Sequence, residues 1–247
     1  MHLSVVIPCY NEEKNLKRGV LDEIEKYLKK QDFSSEVIIS DDGSTDGSLK
    51  FLDKYIKYHP RFKLLRNRHA GKPYALKAGL KSVKGEIILF TDMDQSAPIT
   101  ELRKLLPYFK ENYKVVIGSR GLTRKNFPLY RQLASVIFRF LRQGLLLREI
   151  VDTQCGFKAF EREVAREIFS KLTIFKEEKK VKGWRVTAYD VEALFIAKKL
   201  SFRIKEVPVN WEDKDVARGK QKNFIKESWE MFTEILRVRL NDLKEKY

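Results

Sequence analysis

Cysteine is nearly absent: only Cys9 and Cys155 occur in 247 residues. That excludes a disulfide framework and fits a reducing compartment. The three histidines (His2, His59 and His69) are scattered, so no His/Cys cluster has zinc spacing. No run approaches the roughly 20 apolar residues that cross a bilayer. Met1-His2-Leu3-Ser4-Val5 enters a strand-like run directly, which predicts no signal peptide. A Gly-x-Gly-x-x-Gly turn and a Gly-x-x-x-x-Gly-Lys-[Ser/Thr] loop are both missing, against a dinucleotide site and a P-loop. No Gly-x-Ser-x-Gly elbow is present. Internal repeats and low-complexity segments are missing too.

Acidic residues are outnumbered, 34 against 50 Lys and Arg, for a formal charge of +16. Such a balance suits nucleic acid, an anionic membrane or phosphorylated substrates. It also suits a solvated Lys-rich surface of the thermophile kind. Its distribution is uneven: Thr123 to Arg148 holds six basic residues and no acidic one. With 43% hydrophobic and 12% aromatic residues, the chain reads as globular.

The hydrophobic pattern alternates strand and helix. Strands are predicted at 3–8, 36–40, 62–65, 86–91 and 114–118. Helices are predicted at about 13–30, 46–58, 71–83 and 98–112. This is an α/β, mostly parallel sheet flanked by helices. Beyond Gly118 the alternation stops. Helices are expected at 128–148, 163–171, 188–199 and 224–245, with strands at 157–160 and 202–209. Loops are expected at 177–183 and 214–221. Arg131, Arg139 and Arg142 share one face of the 128–148 helix.

Two acidic clusters carry the chemistry. Val37-Ile38-Ile39-Ser40 runs into Asp41-Asp42-Gly43-Ser44-Thr45-Asp46, and Ile87-Ile88-Leu89-Phe90-Thr91 runs into Asp92-Met93-Asp94-Gln95. Ligands of open α/β sheets bind beyond the carboxyl ends of strands, so both clusters should face one crevice. An Asp-x-Asp there suits a hard divalent ion that also holds phosphates. Asp46 reads first as a helix cap.

These segments resemble family 2 glycosyltransferases of the GT-A fold. The resemblance rests on Val5-Val6-Ile7-Pro8-Cys9-Tyr10-Asn11-Glu12-Glu13, Asp41 to Asp46, Gly71-Lys72-Pro73-Tyr74-Ala75-Leu76 and Asp92-Met93-Asp94, in that order. Asp152-Thr153-Gln154-Cys155-Gly156-Phe157-Lys158-Ala159-Phe160, Tyr189-Asp190-Val191-Glu192 and Glu206-Val207-Pro208-Val209-Asn210-Trp211 narrow it to the dolichyl-phosphate glucosyl- and mannosyltransferase branch, nearer the glucosyl side. It covers roughly Leu3 to Trp211. What it implies is one domain over 1–247, with a nucleotide-sugar half (1–122), an acceptor half (123–222) and a C-terminal amphipathic helix (223–247).

The resemblance assigns Pro8, Tyr10, Glu12, Asp41, Asp42, Lys72, Asp92 and Met93 to the nucleotide sugar. Asp42 is favoured to accept the base imide N–H, with Asp41 as the other choice or as a turn cap. Asp92 and Asp94, with Gln95 beside them, would hold Mg²⁺ or Mn²⁺. Arg120, Arg131, Arg139 and Lys158 would meet the acceptor phosphate. Asp94, Asp190 and Arg120 are the catalytic candidates, and Glu192 reads as a helix-face carboxylate. The implied reaction is inverting transfer of a hexose, glucose favoured, from UDP-glucose or GDP-mannose to polyprenyl or dolichyl phosphate. It would take place at the cytoplasmic face of a membrane, met through amphipathic helices or a membrane-anchoring subunit, without nucleic acid. Three rivals stand beside it: transfer to a carbohydrate hydroxyl with Asp190 as base, a basic nucleic-acid-binding module, and a nucleotidyltransferase.

Overall fold

A computed structural model describes residues 2–121, 138, 140, 142–176, 189–217 and 224–247. Most of the expected 128–148 helix, the 177–183 loop and the end of the 214–221 loop lie outside these residues, as do Arg131 and Arg139.

Seven strands form one sheet: β1 (His2–Cys9), β2 (Ser34–Asp41), β3 (Phe62–Arg66), β4 (Ile87–Phe90), β5 (Val115–Ser119), β6 (Lys158–Glu161) and β7 (Ile204–Pro208). Their order is β3-β2-β1-β4-β6-β5-β7. All neighbouring pairs are parallel except those of β6, which runs antiparallel to β4 and β5. The reversal of β6 places its first residue, Lys158, at the edge where the parallel strands end. Everything that leads into β6 therefore joins the crevice predicted from β1, β2 and β4.

The strands bury both faces, as continuous β-branched runs require. Val6, Ile38, Ile88, Phe90 and Ile117 point into one core, and Val5, Ile7, Val37, Ile39, Leu89 and Val116 into the other. The first core is covered by α4 (Lys72–Ser82), α7 (Arg162–Lys171), α8 (Tyr189–Lys199) and α9 (Phe224–Leu243). The second is covered by α1 (Glu13–Lys17), α2 (Val20–Leu28), α3 (Ser48–Ile56) and α5 (Leu102–Leu105). Each fully buried Leu or Ile in these cores contributes about 1.5–3 kcal/mol.

Two expected helices are broken. The 13–30 segment divides into α1 and α2 at Gly19, whose φ of +87° only glycine adopts freely. The 98–112 segment becomes a 3₁₀ turn (Ile99–Glu101), α5, and α6 (Pro107–Lys110). Pro107 has no N–H to continue the helical ladder.

A carboxylate-lined candidate active site

The crevice opens at the carboxyl edge of the sheet. Pro8, Glu12, Lys72, Asp92, Met93, Asp94 and Asp215 line one cavity. Lys72 opens α4 and donates from Nζ to Asp92 Oδ1 at 2.6 Å. Burial opposes the Lys72 charge, yet Asp92, Asp190 and Asp94 together hold the amine more firmly protonated than usual. Asp190 thus shares the field of the donor-side carboxylates. Asp92 packs so closely on Gly156 that a Cβ there would lie 2.0 Å from Oδ2.

Negative charge accumulates around Asp94. Burial and then Asp92 raise its carboxyl above the ordinary range, against hydrogen bonds from Ser96. Glu12 is pushed up to about 7 by burial and by Asp215, Asp94 and Asp92, against a hydrogen bond from Asn15. Among the described residues, no three His, Cys, Asp or Glu side chains converge into a ready-made metal cage. Mg²⁺ and Mn²⁺ do not require one, since such ions take one or two carboxylates and complete their shells with substrate phosphates and water. A hard-oxygen cluster that resists full ionisation fits that group.

The segment 212–217 bridges this cavity to α1. Asn15, fully buried, donates to Glu12 Oε2 at 2.6 Å and to Asp215 Oδ1 at 3.0 Å, and accepts from the Val216 N–H. Arg18 donates to the carbonyls of Lys214 and Asp94. Lys214 N–H donates to Ser96 Oγ, and Glu212 N–H to the Ser96 carbonyl.

Several expected roles need correction. Gln95 is 3% exposed, and its amide is spent internally. Nε2 donates to Thr91 and to the Asp92 carbonyl, while Oε1 accepts the Ile99 N–H. It caps the following 3₁₀ turn and is not a metal ligand in this arrangement. Met93 borders the cavity, but its side chain is 2% exposed and belongs to the second core. Asp41 accepts from Gly43 N–H, Ser44 N–H and Ser44 Oγ, so it closes the turn, one of its two expected roles. Asp42 is wholly enclosed, accepting from Ala70 N–H, Gly71 N–H and His69 Nδ1. It holds the 69–71 loop instead of presenting a bare carboxylate to a base. Burial leads, so its carboxyl is raised despite these bonds. Asp46 accepts from Ser48 N–H at the start of α3 and from Glu13 N–H at the start of α1, but the capping position of α3 is Gly47, one residue beyond the expected cap.

On the acceptor side, Lys158 is committed rather than available. Its Nζ donates to Asp190 Oδ1 at 2.5 Å and to the Cys155 carbonyl at 2.5 Å. The Asp190 carboxylate is engaged by the same pair. Arg120 follows β5 and forms a two-pronged pair with Asp152 at 2.7 Å for each contact. Burial would raise the Asp152 carboxyl, but Arg120 overrides it and holds the group well below the usual range. Glu192 is not a solvated helix-face carboxylate. It is fully buried and accepts from Thr173 and the Tyr247 hydroxyl.

Other contributors had no role assigned from the sequence. His69 stacks on Tyr10 with ring centroids 4.5 Å apart. Asp215 and Asn15 are 200 residues apart, so no local signal links them. Gly156 lies inside a recognised motif, and a glycine flanked by Cys155 and Phe157 was the available hint of a close approach.

The family model for glycosyl transferase family 2 matches residues 4–169. The chain belongs to glycosyl transferase family 2. Among relatives, it is 34% identical over 264 residues to the dolichyl-phosphate beta-glucosyltransferase of Dictyostelium discoideum, covering 98% of this chain and 75% of that protein. It is 38% identical over 231 residues to the mouse protein of the same name, covering 85% and 67%. Among solved structures, a mannosyltransferase from Pyrobaculum calidifontis in complex with GDP-Man and Mn²⁺ superposes with a TM-score of 0.62 at 19% identity, covering 95% of this chain and 64% of that one. A Mycobacterium tuberculosis glucosyl-3-phosphoglycerate synthase in complex with Mn²⁺, UDP and glucosyl-3-phosphoglycerate gives 0.58 at 18%, covering 97% and 79%. At such identities the structures establish the fold, which is GT-A. No described helix of this family 2 chain is long and apolar enough to cross a membrane.

Proposed function

We propose that this family 2 enzyme transfers glucose from a nucleotide sugar, UDP-glucose favoured over GDP-mannose, to dolichyl or another polyprenyl phosphate. The observation that carries this reading is the 34% identity, over nearly the whole chain, to a protein named for that reaction. Arg120, a guanidinium held by Asp152 at the end of β5, is the group assigned to the acceptor phosphate beside the carboxylate-lined donor pocket.

Asp94, with Asp92, would hold a Mn²⁺ or Mg²⁺ ion, and when bound that ion supplies electrostatic stabilisation of the departing diphosphate. Lys72 places an ammonium at the mouth of α4, where backbone N–H groups also favour phosphate. Tyr10 and the buried Asp42–His69 pair frame the edge assigned to the base. Arg120, whose Nε and Nη2 are taken up by Asp152, would meet the acceptor phosphate through Nη1 and orient its oxygen toward the anomeric carbon. Attack from the face opposite the leaving diphosphate inverts that centre. A phosphate acceptor is already ionised and needs no general base, which agrees with an Asp190 occupied by Lys158. The hydroxyl-acceptor reading requires that carboxylate to be released.

The lipid acceptor brings the enzyme to a membrane surface, on the cytoplasmic side where nucleotide sugars are available. A protein of charge +16 meets anionic headgroups favourably there. The test is incubation with Mn²⁺, a polyprenyl phosphate and a panel of radiolabelled nucleotide sugars. Label from UDP-glucose is expected in the organic phase and should vanish with a chelator. No labelled lipid from any donor refutes the acceptor assignment.

A further inference from the structure

Two segments without a role in that reaction, 151–152 and 209–211, meet around Arg120. Its Nε and Nη2 both go to Asp152, and its backbone N–H donates to Asp152 Oδ2 at 3.0 Å. No Nη1 contact is seen among the described residues. The guanidinium carbon also lies 5.6 Å from the centroid of Trp211.

Each of these two neighbours is tied down by a carboxylate from another element. Glu206, in β7 opposite Ile117 of β5, accepts the Val151 N–H at 2.7 Å and the Asp152 N–H at 2.8 Å. Glu101, 2% exposed, accepts the Asn210 N–H at 3.0 Å and Asn210 Nδ2 at 3.1 Å, one residue before Trp211. A carboxylate holding two converging N–H groups makes charge-assisted bonds and fixes the backbone that carries them. Glu101 is buried and Glu206 half-buried, and desolvating a carboxylate is costly, so two spent on neighbouring turns require a structural or functional return.

We propose that Glu206 is a positioning residue for the acceptor phosphate. Through the 151–152 backbone and Asp152 it aims the Nη1 edge of Arg120, while Glu101 sets Trp211 near the same guanidinium. The inference rests on the phosphate-acceptor reading. A guanidinium recognises phosphate by geometry as well as charge, so its aim governs acceptor affinity.

The test is steady-state kinetics of full-length Glu206→Gln with a short-chain polyprenyl phosphate and the preferred nucleotide sugar, alongside donor Kd by calorimetry. In the variant, one of the two backbone N–H groups faces an amide nitrogen instead of an oxygen. Acceptor KM should rise about tenfold, a factor equivalent to one lost hydrogen bond. The kcat and the donor Kd should stay within twofold. Glu206→Asp, which keeps the charge, should recover part of the acceptor KM, and it supplies the same readout if the Gln variant folds poorly. Arg120→Lys should raise the acceptor KM and lower kcat as well, and combining it with Glu206→Gln should raise the acceptor KM little further. An unchanged acceptor KM, a parallel fall in kcat and donor affinity, or full additivity with Arg120→Lys overturns the proposal while leaving phosphate transfer intact. If the wild-type enzyme labels no polyprenyl phosphate, the reading beneath it fails as well.

Discussion

Replacing Asp190 by Asn tests the buried ion pair that divides the two acceptor readings. Its Oδ1 lies 2.5 Å from Lys158 Nζ, with the two side chains 10% and 6% exposed. The lysine keeps one neutral partner, the Cys155 carbonyl. Removing one member of a buried pair costs about 3–5 kcal/mol, because the other charge is left uncompensated. Asn still offers an oxygen, so a loss of about 2–3 kcal/mol is expected, large against a total stability of about 5–15 kcal/mol. Urea unfolding followed by circular dichroism measures it. Lys158→Met should lose a similar amount, and Lys158→Met combined with Asp190→Leu should recover much of it, since an apolar pair of similar volume carries no desolvation cost. Asp190→Asn unfolding within about 0.5 kcal/mol of wild type, with an additive cycle, would refute the pair. Turnover gives a second readout. A general base contributes about 10²–10⁴-fold, so Asp190→Asn should retain activity within about tenfold toward a phosphate acceptor. A hundredfold loss in a folded variant would instead favour a hydroxyl acceptor.

Asp94→Ala should reduce turnover by about three orders of magnitude, the scale of several kcal/mol of lost charge stabilisation; near-normal turnover in Mn²⁺ removes Asp94 as the metal ligand. Gly156→Ala should weaken nucleotide binding, because the new Cβ would collide with Asp92 Oδ2 at 2.0 Å, and an unchanged UDP Kd by calorimetry contradicts that packing. In metal-free protein, Glu12 has a carboxyl raised from 4.5 to about 7, so between those values the folded chain holds a proton that the unfolded chain has lost. Stability should therefore fall as pH rises through that window and level off above it. Glu12→Gln should flatten this slope in thermal melts, and a slope unchanged in the variant counts against the assignment. Asp152 has the opposite sign: Arg120 depresses its carboxyl, so its contribution is present above the ordinary carboxylate pKa and is lost as pH falls below it. Arg120→Met should remove that acid-side dependence, measured by melting from pH 5 downward.

Strand and helix order, and the two carboxylate groups at strand ends, were legible because local patterns encode them. Val37-Ile38-Ile39 followed by Asp41 reads as a buried parallel strand ending in a turn, whatever surrounds it. Breaks within elements were harder: Gly19 and Pro107 were visible as residues, but their effect depended on competing propensity. The enclosure of Asp42 and the inward turn of Gln95 depended on hydrogen bonds to the 69–71 loop and the Ile99 turn. Spacing along the chain does not report such partners.

Local sequence, then, determined which segments become strands and which side-chain chemistry stands at their ends. Tertiary structure alone decided that β6 runs backward between β4 and β5. That reversal carries Asp152, Gly156 and Lys158 to the crevice, where Asp152 and Lys158 meet Arg120 and Asp190 across 32 residues of chain. The physical reason is that strand direction and pairing are set by how both faces of the sheet find cover, a property of the whole core and not of any window within it.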